Sequence, residues 1–357
     1  SGIRTATRHE IDLPLQLGPI KAVPYLLGEF AFYGEDASGS DATRSYGQVG
    51  VRASLPMWQH RPNVRSKLLN VNGIAHKVIF DADIFWSDAS ENLDRFPRYD
   101  ALDDDSVEHF RRRFFFDTFG GIPGTNVGSR FDERFFALRN NMQGEVAATS
   151  TDIVDDMVQA RLGIHQRWQT KRGLAGQEQT IDWITLDLEG VLFPKPGRDN
   201  FSQEMGLLNY DLRWYLGDRF TVLSDGFADC FGDGLRMVSL GGILSRPGRG
   251  SIYLGMRLLG GPIDSKMIHG AISYRMSDKW IGIASTSFDF GQAGNIGQSL
   301  AVTRIGESAL IRIGMNVDES RDNVGIQFAI EPRFMASNRL GRVGGVQIPP
   351  AGALGLE

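Results

Sequence analysis

What most constrains this chain is a period-two alternation of apolar and polar residues, sustained over long stretches and repeated from end to end. In 322–334, Val324, Ile326, Phe328, Ile330 and Phe334 share one face, and Gly325, Gln327, Ala329, Glu331 and Arg333 the other. Successive strand side chains point to opposite faces, so such a segment has one apolar and one polar side. The same pattern recurs in 309–317, 268–276, 252–258, 183–192 and 158–168. Near the start, Ile11, Leu13, Leu15 and Leu17 oppose Glu10, Asp12 and Gln16. Strands in globular proteins run about 5–6 residues. These runs are about 10–14 residues long, matching the roughly 9–11 that a tilted strand needs to cross a bilayer.

Connections add a second rhythm. Tight turns fall at Gly217-Asp218, Arg246–Gly250, Ser277–Lys279 and Gly306–Ser308, and looser ones between them at Phe231–Gly234, Gly260–Ser265, Gly291–Gly297 and Asp318–Asp322. Outer-membrane barrels alternate short periplasmic turns with longer external loops. Parity then puts every tight turn on the periplasmic side, and 34–44, 194–204 and the long segment 88–153 outside. That segment carries Asp103–Asp105, Arg111–Arg113, Phe114–Phe116 and a Gly120-Gly121-Ile122-Pro123-Gly124 turn. A connection of this length reads as a lid or plug, with a short helix near 105–114 and one or two strands in 130–148. The predicted fold is all-β: an antiparallel transmembrane β-barrel of about 14–16 or more long strands over 1–334. A Gly/Pro-rich tail, 335–357, lies outside it. About fifteen strands fall outside the long segment. An odd count with a start at Ser1 rather than Met leads us to expect part of a larger barrel, since single-chain bacterial barrels have even numbers.

Composition removes several classes of function. The 357 residues hold 38 Lys+Arg against 43 Asp+Glu, a formal charge of −5, which is no footprint for a nucleic-acid partner. The single cysteine, Cys230, allows neither an internal disulfide nor a multi-cysteine metal site. The six histidines form no H-E-x-x-H pair, and there is no G-x-S-x-G elbow or Walker loop. We expect no enzyme, no metal and no cofactor. The run Asp103–Asp105 has the chemistry to collect calcium, but a solvated acidic loop is the first reading.

Charges on the polar strand faces are the candidate functional residues: Arg52, Arg161, His165, Arg167, Asp187, Glu189, Asp211, Arg213, Arg257, Arg275, Arg312 and Arg333. In a soluble sandwich they would meet solvent while the apolar face packs on a second sheet. In a membrane barrel they line a wet lumen while the apolar face meets lipid. Strand length, hairpin rhythm and aromatics near strand ends favour the barrel. Trp58, Trp86, Trp168, Trp214, Tyr274, Trp280 and Phe334 read as interfacial girdles. A channel for small solutes is one function such a lumen allows.

A resemblance narrows this further. Arg8-His9-Glu10-Ile11-Asp12-Leu13-Pro14 leading into Val23-Pro24-Tyr25-Leu26, then Asn72-Gly73-Ile74-Ala75-His76-Lys77-Val78, then Tyr210-Asp211-Leu212-Arg213-Trp214 and the closing Gly325-Ile326-Gln327-Phe328 resemble the barrel of the lipopolysaccharide-assembly outer-membrane protein, the organic-solvent-tolerance (LptD) family. The resemblance implies a non-enzymatic translocon in the outer membrane of a Gram-negative-type bacterium. It implies transport of lipopolysaccharide into the outer leaflet through a lateral opening between first and last strands. Its partners are then a plug lipoprotein, periplasmic bridge proteins and outer-membrane lipid. On this reading Gly325, Pro332 and Phe334 mark the seam: glycine loosens the strand, and proline cannot donate a ladder hydrogen bond.

Overall fold

The structure is a computed structural model; it describes residues 3–36, 39–96, 133–139, 153–332 apart from short gaps at 175, 233, 262–264, 292–293 and 319–322, and two short stretches of the tail. No helix among the described residues is long and apolar enough to cross a membrane.

One antiparallel sheet of sixteen strands dominates the chain. Its first half holds β1 (Arg4–Asp12), β2 (Leu15–Leu17), β3 (Ile20–Tyr33), β4 (Ala42–Ser66), β5 (Val71–Ala89), β6 (Met157–Arg172), β7 (Gln179–Leu192) and β8 (Met205–Tyr215). The second half holds β9 (Phe220–Asp229), β10 (Arg236–Arg246), β11 (Gly250–Gly260), β12 (Ser265–Ser277), β13 (Trp280–Asp289), β14 (Gly294–Ile305), β15 (Ala309–Asp318) and β16 (Asn323–Pro332). From β3 on, each strand pairs with its sequence neighbours, a continuous meander; β1 and β2 both lie along the free side of β3, so the sheet has fifteen positions. A separate two-stranded ribbon, β17 (Arg342–Val343) and β18 (Val346–Gln347), is the described part of the tail.

The strands are steeply tilted. A hydrogen-bonded row runs Lys21, Ser54, Asp81, Gly163, Glu189, Asn209, Phe227, Met237, Leu259, Ser265. It starts at the periplasmic end of β3 and finishes at the external end of β12. Nine strand spacings of ~4.8 Å carry it about 43 Å sideways while it climbs about one strand length, close to 40 Å. The tilt is therefore near ~45°, as closure into a membrane barrel demands.

The two faces differ as lipid and lumen do. The outward row Leu244, Ile252, Ile272, Ala284, Leu300, Met315, Ile326 is apolar throughout, yet its large members are exposed, Ile326 to 80 %. Such a continuous apolar face is stable only against hydrocarbon. Outward Trp168, Trp214, Phe220, Tyr274 and Trp280 gather at the periplasmic strand ends, with the Arg304 guanidinium over the Trp280 ring at 5.8 Å. Trp86 and Phe288 mark the external side. On β5 about ten residues separate His76, stacked on Trp168 at 4.5 Å, from Trp86; at the observed tilt that spans about 23 Å, close to the ~25 Å apolar band of such barrels.

Three expectations change. Trp58 is no girdle residue: it shares a row with Lys77, Arg167, Thr185 and Arg213 on the polar face. The segment 133–139 is a helix, α1 (Glu133–Arg139), where strands were expected. Strands β4 and β5 reach 25 and 19 residues, longer than the alternation indicated. The helix expected near 105–114, the acidic run Asp103–Asp105, Arg333 and Phe334 lie outside the described residues.

Candidate functional site

The inner face divides into three zones. At the external end it is apolar. Inward-pointing Tyr25, Phe85, Met157, Val191, Leu207 and Phe227, from β3 and β5 to β9, pack with Leu93, Ala137, Leu138 and Ile153 in one buried cluster. The last four are described residues of the long connection 88–153, and they pack into the mouth. Two polar contacts fix α1 there: Gln159 Nε2 donates to the Leu138 carbonyl at 3.1 Å, and Arg139 Nη1 meets Asp229 Oδ2 at 2.8 Å. That ion pair is almost completely buried, its side chains 3 % and 5 % exposed.

Beneath the cap, β1 and β3 to β9 carry a charged wall. Glu29 holds both Arg8 and Arg44, at 2.6 and 2.7 Å. Arg52 pairs with Glu10 and stacks over the Tyr25 ring at 3.9 Å. The Tyr25 hydroxyl donates to Asp83 Oδ1 at 3.0 Å and accepts from Gln48. Further round, His165 sits between Asp81 (2.7 Å from Nε2) and Asp187 (2.6 Å from Nδ1). Carboxylates only accept, so both contacts form when the ring carries both protons. Arg161 pairs with Glu189 at 2.9 Å and Arg213 with Asp211 at 3.0 Å. Arg167 lies 3.7 Å from Asp182 and is largely exposed.

The second half of the sheet is different. Its inner face carries many small polar groups, Ser239, Ser273, Ser285, Ser287, Ser299, Thr303 and Asn316, among larger ones such as Tyr253, Met267 and His269, with Ser285 and Ser299 hydrogen-bonded across strands at 2.7 Å. Three of the candidate arginines stand in this wall. Arg257 donates to Ser239 Oγ at 3.1 Å; Arg275 donates to the Ser277 and Asp278 carbonyls at the periplasmic turn; Arg312 makes no side-chain hydrogen bond or ion pair among the described residues. A small apolar cluster of Ile281, Ile305 and Leu310 closes the periplasmic end of this wall.

One inner row joins the two halves: His165, Asp187, Asp211, Asp225, Ser239, Arg257. It contains three consecutive carboxylates as direct cross-strand neighbours. Two are paired, to His165 and Arg213, while Asp225 has no side-chain hydrogen bond or ion pair among the described residues. Like charges directly opposite each other repel, and an unpaired carboxylate in a dry interior is more costly still. Water is the medium that makes this row tolerable. The described residues contain no group of three or more His, Cys, Asp or Glu side chains arranged to hold a metal ion.

Just outside the spanning strands, burial together with the nearby carboxylates of Asp156, Asp94 and Asp199 pushes Asp155 up to about 6.

Two of the seam candidates, Gly325 and Pro332, lie on β16. Gly325 pairs with Asn316 and Pro332 with Ala309, so β15 holds one edge of the strand. Among the described residues no strand pairs with its other edge, nor with the free edge of β1.

No protein-family model and no curated protein matches the chain. Among solved structures it is similar to a protein described under "Asymmetric conductivity of engineered proteins", at 10% identity over 88% of this chain and 99% of that one, TM-score 0.33. It is also similar to a mutant of the Rh. blastica porin, at 10% identity over 92% of this chain and 100% of that one, TM-score 0.34. The KdgM porin is similar over 49% of this chain and 89% of its own, at 10% identity and TM-score 0.23.

Proposed function

We propose that the protein is a passive, porin-like channel of the outer membrane, passing small hydrophilic solutes through a hydrated lumen. The observation that carries this reading is the inner row of three adjacent carboxylates with Asp225 unpaired. That arrangement needs water at mid-barrel, while the exposed apolar row on the opposite face needs lipid. The many small polar side chains on the inner wall of β10 to β16 suit a hydrated lumen, with the apolar cluster that holds α1 at its external mouth. The test is reconstitution into planar bilayers. Discrete conductance steps are expected, and Asp225→Asn lowers cation over anion permeability, because a fixed carboxylate in the pore attracts cations. Folded, inserted protein that carries no current would overturn the proposal.

A second reading is lateral transfer of lipopolysaccharide, with the plug lipoprotein and periplasmic bridge proteins that the family resemblance implies. What favours it is the pair of unpartnered strand edges, β1 and β16, together with Gly325 and Pro332 on the latter. A disulfide bridging those edges stops surface lipopolysaccharide delivery if this reading holds, and leaves conductance intact if the protein is a channel alone.

A further inference from the structure

The lipid-facing wall is not smooth. An apolar groove of about 640 Å³ crosses β6 to β10. Two adjacent rows form it. One runs Leu162, Gly190, Leu208, Ala228, Arg236; the other runs Ile164, Leu188, Tyr210, Gly226, Val238. Of these positions Gly190 and Ala228 are small and line the groove. Neighbouring side chains lie over the glycines and bound the groove there: a Cβ on Gly190 would stand 2.9 Å from Leu208 Cδ2, and one on Gly226 2.6 Å from the Tyr210 ring. No occupant from within the described chain covers the groove, and Leu162, Leu208 and Val238 are 45 %, 38 % and 44 % exposed.

Its direction identifies what fits. Four strand spacings give a length of about 19 Å. At a tilt near ~45° the groove climbs about 14 Å, close to the depth of one leaflet's hydrocarbon. It starts among the mid-span side chains of β6 and ends at Arg236, the first residue of β10, at the external rim. Arg236 is exposed, as is Lys266 two strands further on, in the row Val238, Leu258, Lys266. Both point to the lipid side, and neither side chain has a hydrogen bond or ion pair among the described residues. A cation at an interface, above a slot lined by alkyl groups, is complementary to a phosphate above an acyl chain. Strands β10 and β12 are about 10 Å apart, a spacing that serves two phosphates better than one.

We propose that this groove is a binding site for a doubly phosphorylated, multiply acylated lipid of the outer leaflet. One acyl chain lies along the groove between Leu162 and Val238, against Leu188, Leu208 and Ala228, and the phosphates rest on Arg236 and Lys266. The site is on the outer wall and is independent of what passes through the lumen. The test is lipid binding to the purified protein in detergent, read by native mass spectrometry. The probes are diphosphorylated lipid A, its monophosphorylated form and phosphatidylglycerol. Diphosphorylated lipid A is expected to be retained best. Arg236→Gln and Lys266→Gln are each expected to weaken it by at least about tenfold, the ~1.4 kcal/mol of one charge-assisted contact. Ala228→Leu fills the groove and weakens all three lipids; Glu204→Gln, at the same rim, changes nothing. The two charge variants alter exposed side chains, so they carry the test even if Ala228→Leu fails to fold. Equal retention of phosphatidylglycerol and lipid A, or unchanged lipid A retention in a folded Arg236→Gln/Lys266→Gln double variant, would overturn the proposal.

Discussion

Arg139→Ala should loosen α1 from the barrel mouth. The Arg139–Asp229 pair is the strongest polar tie between α1 and the wall: 2.8 Å long, both side chains at most 5 % exposed, with the guanidinium stacked 5.6 Å above Phe231. Removing one member of a buried pair leaves the other charge without its counter-ion in a dry site and costs about 3–5 kcal/mol. Apolar contacts resist release, since Ala137 and Leu138 are buried in the cluster with Tyr25, Phe85 and Val191. Truncating Leu138 to alanine removes a further ~2–5 kcal/mol. Arg139→Ala alone should therefore lower the unfolding midpoint in detergent. The Arg139→Ala/Leu138→Ala double variant should also free the helix and raise single-channel conductance. The informative control removes both charges: Arg139→Leu/Asp229→Leu should recover most of the stability, because a well-packed apolar pair can replace a buried ion pair at little cost. If Arg139→Ala costs less than about 1 kcal/mol, or the double-leucine variant is no better than Arg139→Ala, the buried pair is not what anchors α1.

Other perturbations address the remaining zones. Ile272→Arg should impair folding into lipid vesicles by ~2–4 kcal/mol, whereas Asn316→Arg, on the exposed inner face, should fold normally; Ser273 is a poor control because it is only 6 % exposed despite its inward position. Asp155→Asn should stabilise the protein above about pH 6 and have no effect near pH 4. The raised pKa means that the folded state holds the proton more tightly than the unfolded one, so stability from this group is lost as pH rises from about 4 through 6. Screening at a partly exposed carboxylate limits the gain to roughly 1 kcal/mol, read from thermal melts at the two pH values. His165→Leu strands two facing carboxylates, Asp81 and Asp187, and should be partly rescued by Asp187→Asn in the same assay.

The outward rows were legible because lipid enforces the alternation on every strand it touches. On β6, β7, β11, β12, β15 and β16 the apolar residues read from the sequence are those the structure turns outward. Partners within the lumen were not legible: Arg161–Glu189 and His165–Asp81 depend on cross-strand register, which the period of one strand does not encode. The apolar cap left a signal that alternation obscures. Val191-Leu192-Phe193 and Leu207-Leu208 are consecutive apolar residues at external strand ends, where an ordinary lumen wall would place polar residues at the inward positions Val191, Phe193 and Leu207; such a break marks a place where something packs inside. Helix α1 escaped because seven residues are too few for helical periodicity to stand out. Trp58 was misplaced because β4 continues past the membrane band, where exposure of either face costs little.

The two edges of the sheet are chemically unequal, and this separates the readings of function. Edge β16 is fully dressed for lipid: outward Val324, Ile326, Phe328 and Ile330 are 59–80 % exposed. Edge β1 is not. Its outward residues are Thr5, Thr7, His9 and Ile11, with Thr7 Oγ1 and His9 Nε2 hydrogen-bonded to each other at 2.7 Å. Most of the other long strands present a mainly apolar outer face, so β1 is the more polar of the two edges. A free backbone edge in hydrocarbon costs several kcal/mol for each unpaired group, so β1 and β16 both require a pairing partner in a membrane. A permanent channel gains nothing from polar groups beside that junction. A seam that opens to lipid headgroups gains a hydrogen-bonding path along it. Thr7→Val with His9→Leu makes the β1 outer face apolar without touching the ladder or the inner face. In a channel it should stabilise insertion and leave conductance unchanged. In a lateral exit it should stabilise insertion and slow lipid release. Unchanged insertion would mean that the β1 outer face never meets hydrocarbon, and that a further polypeptide surface covers it.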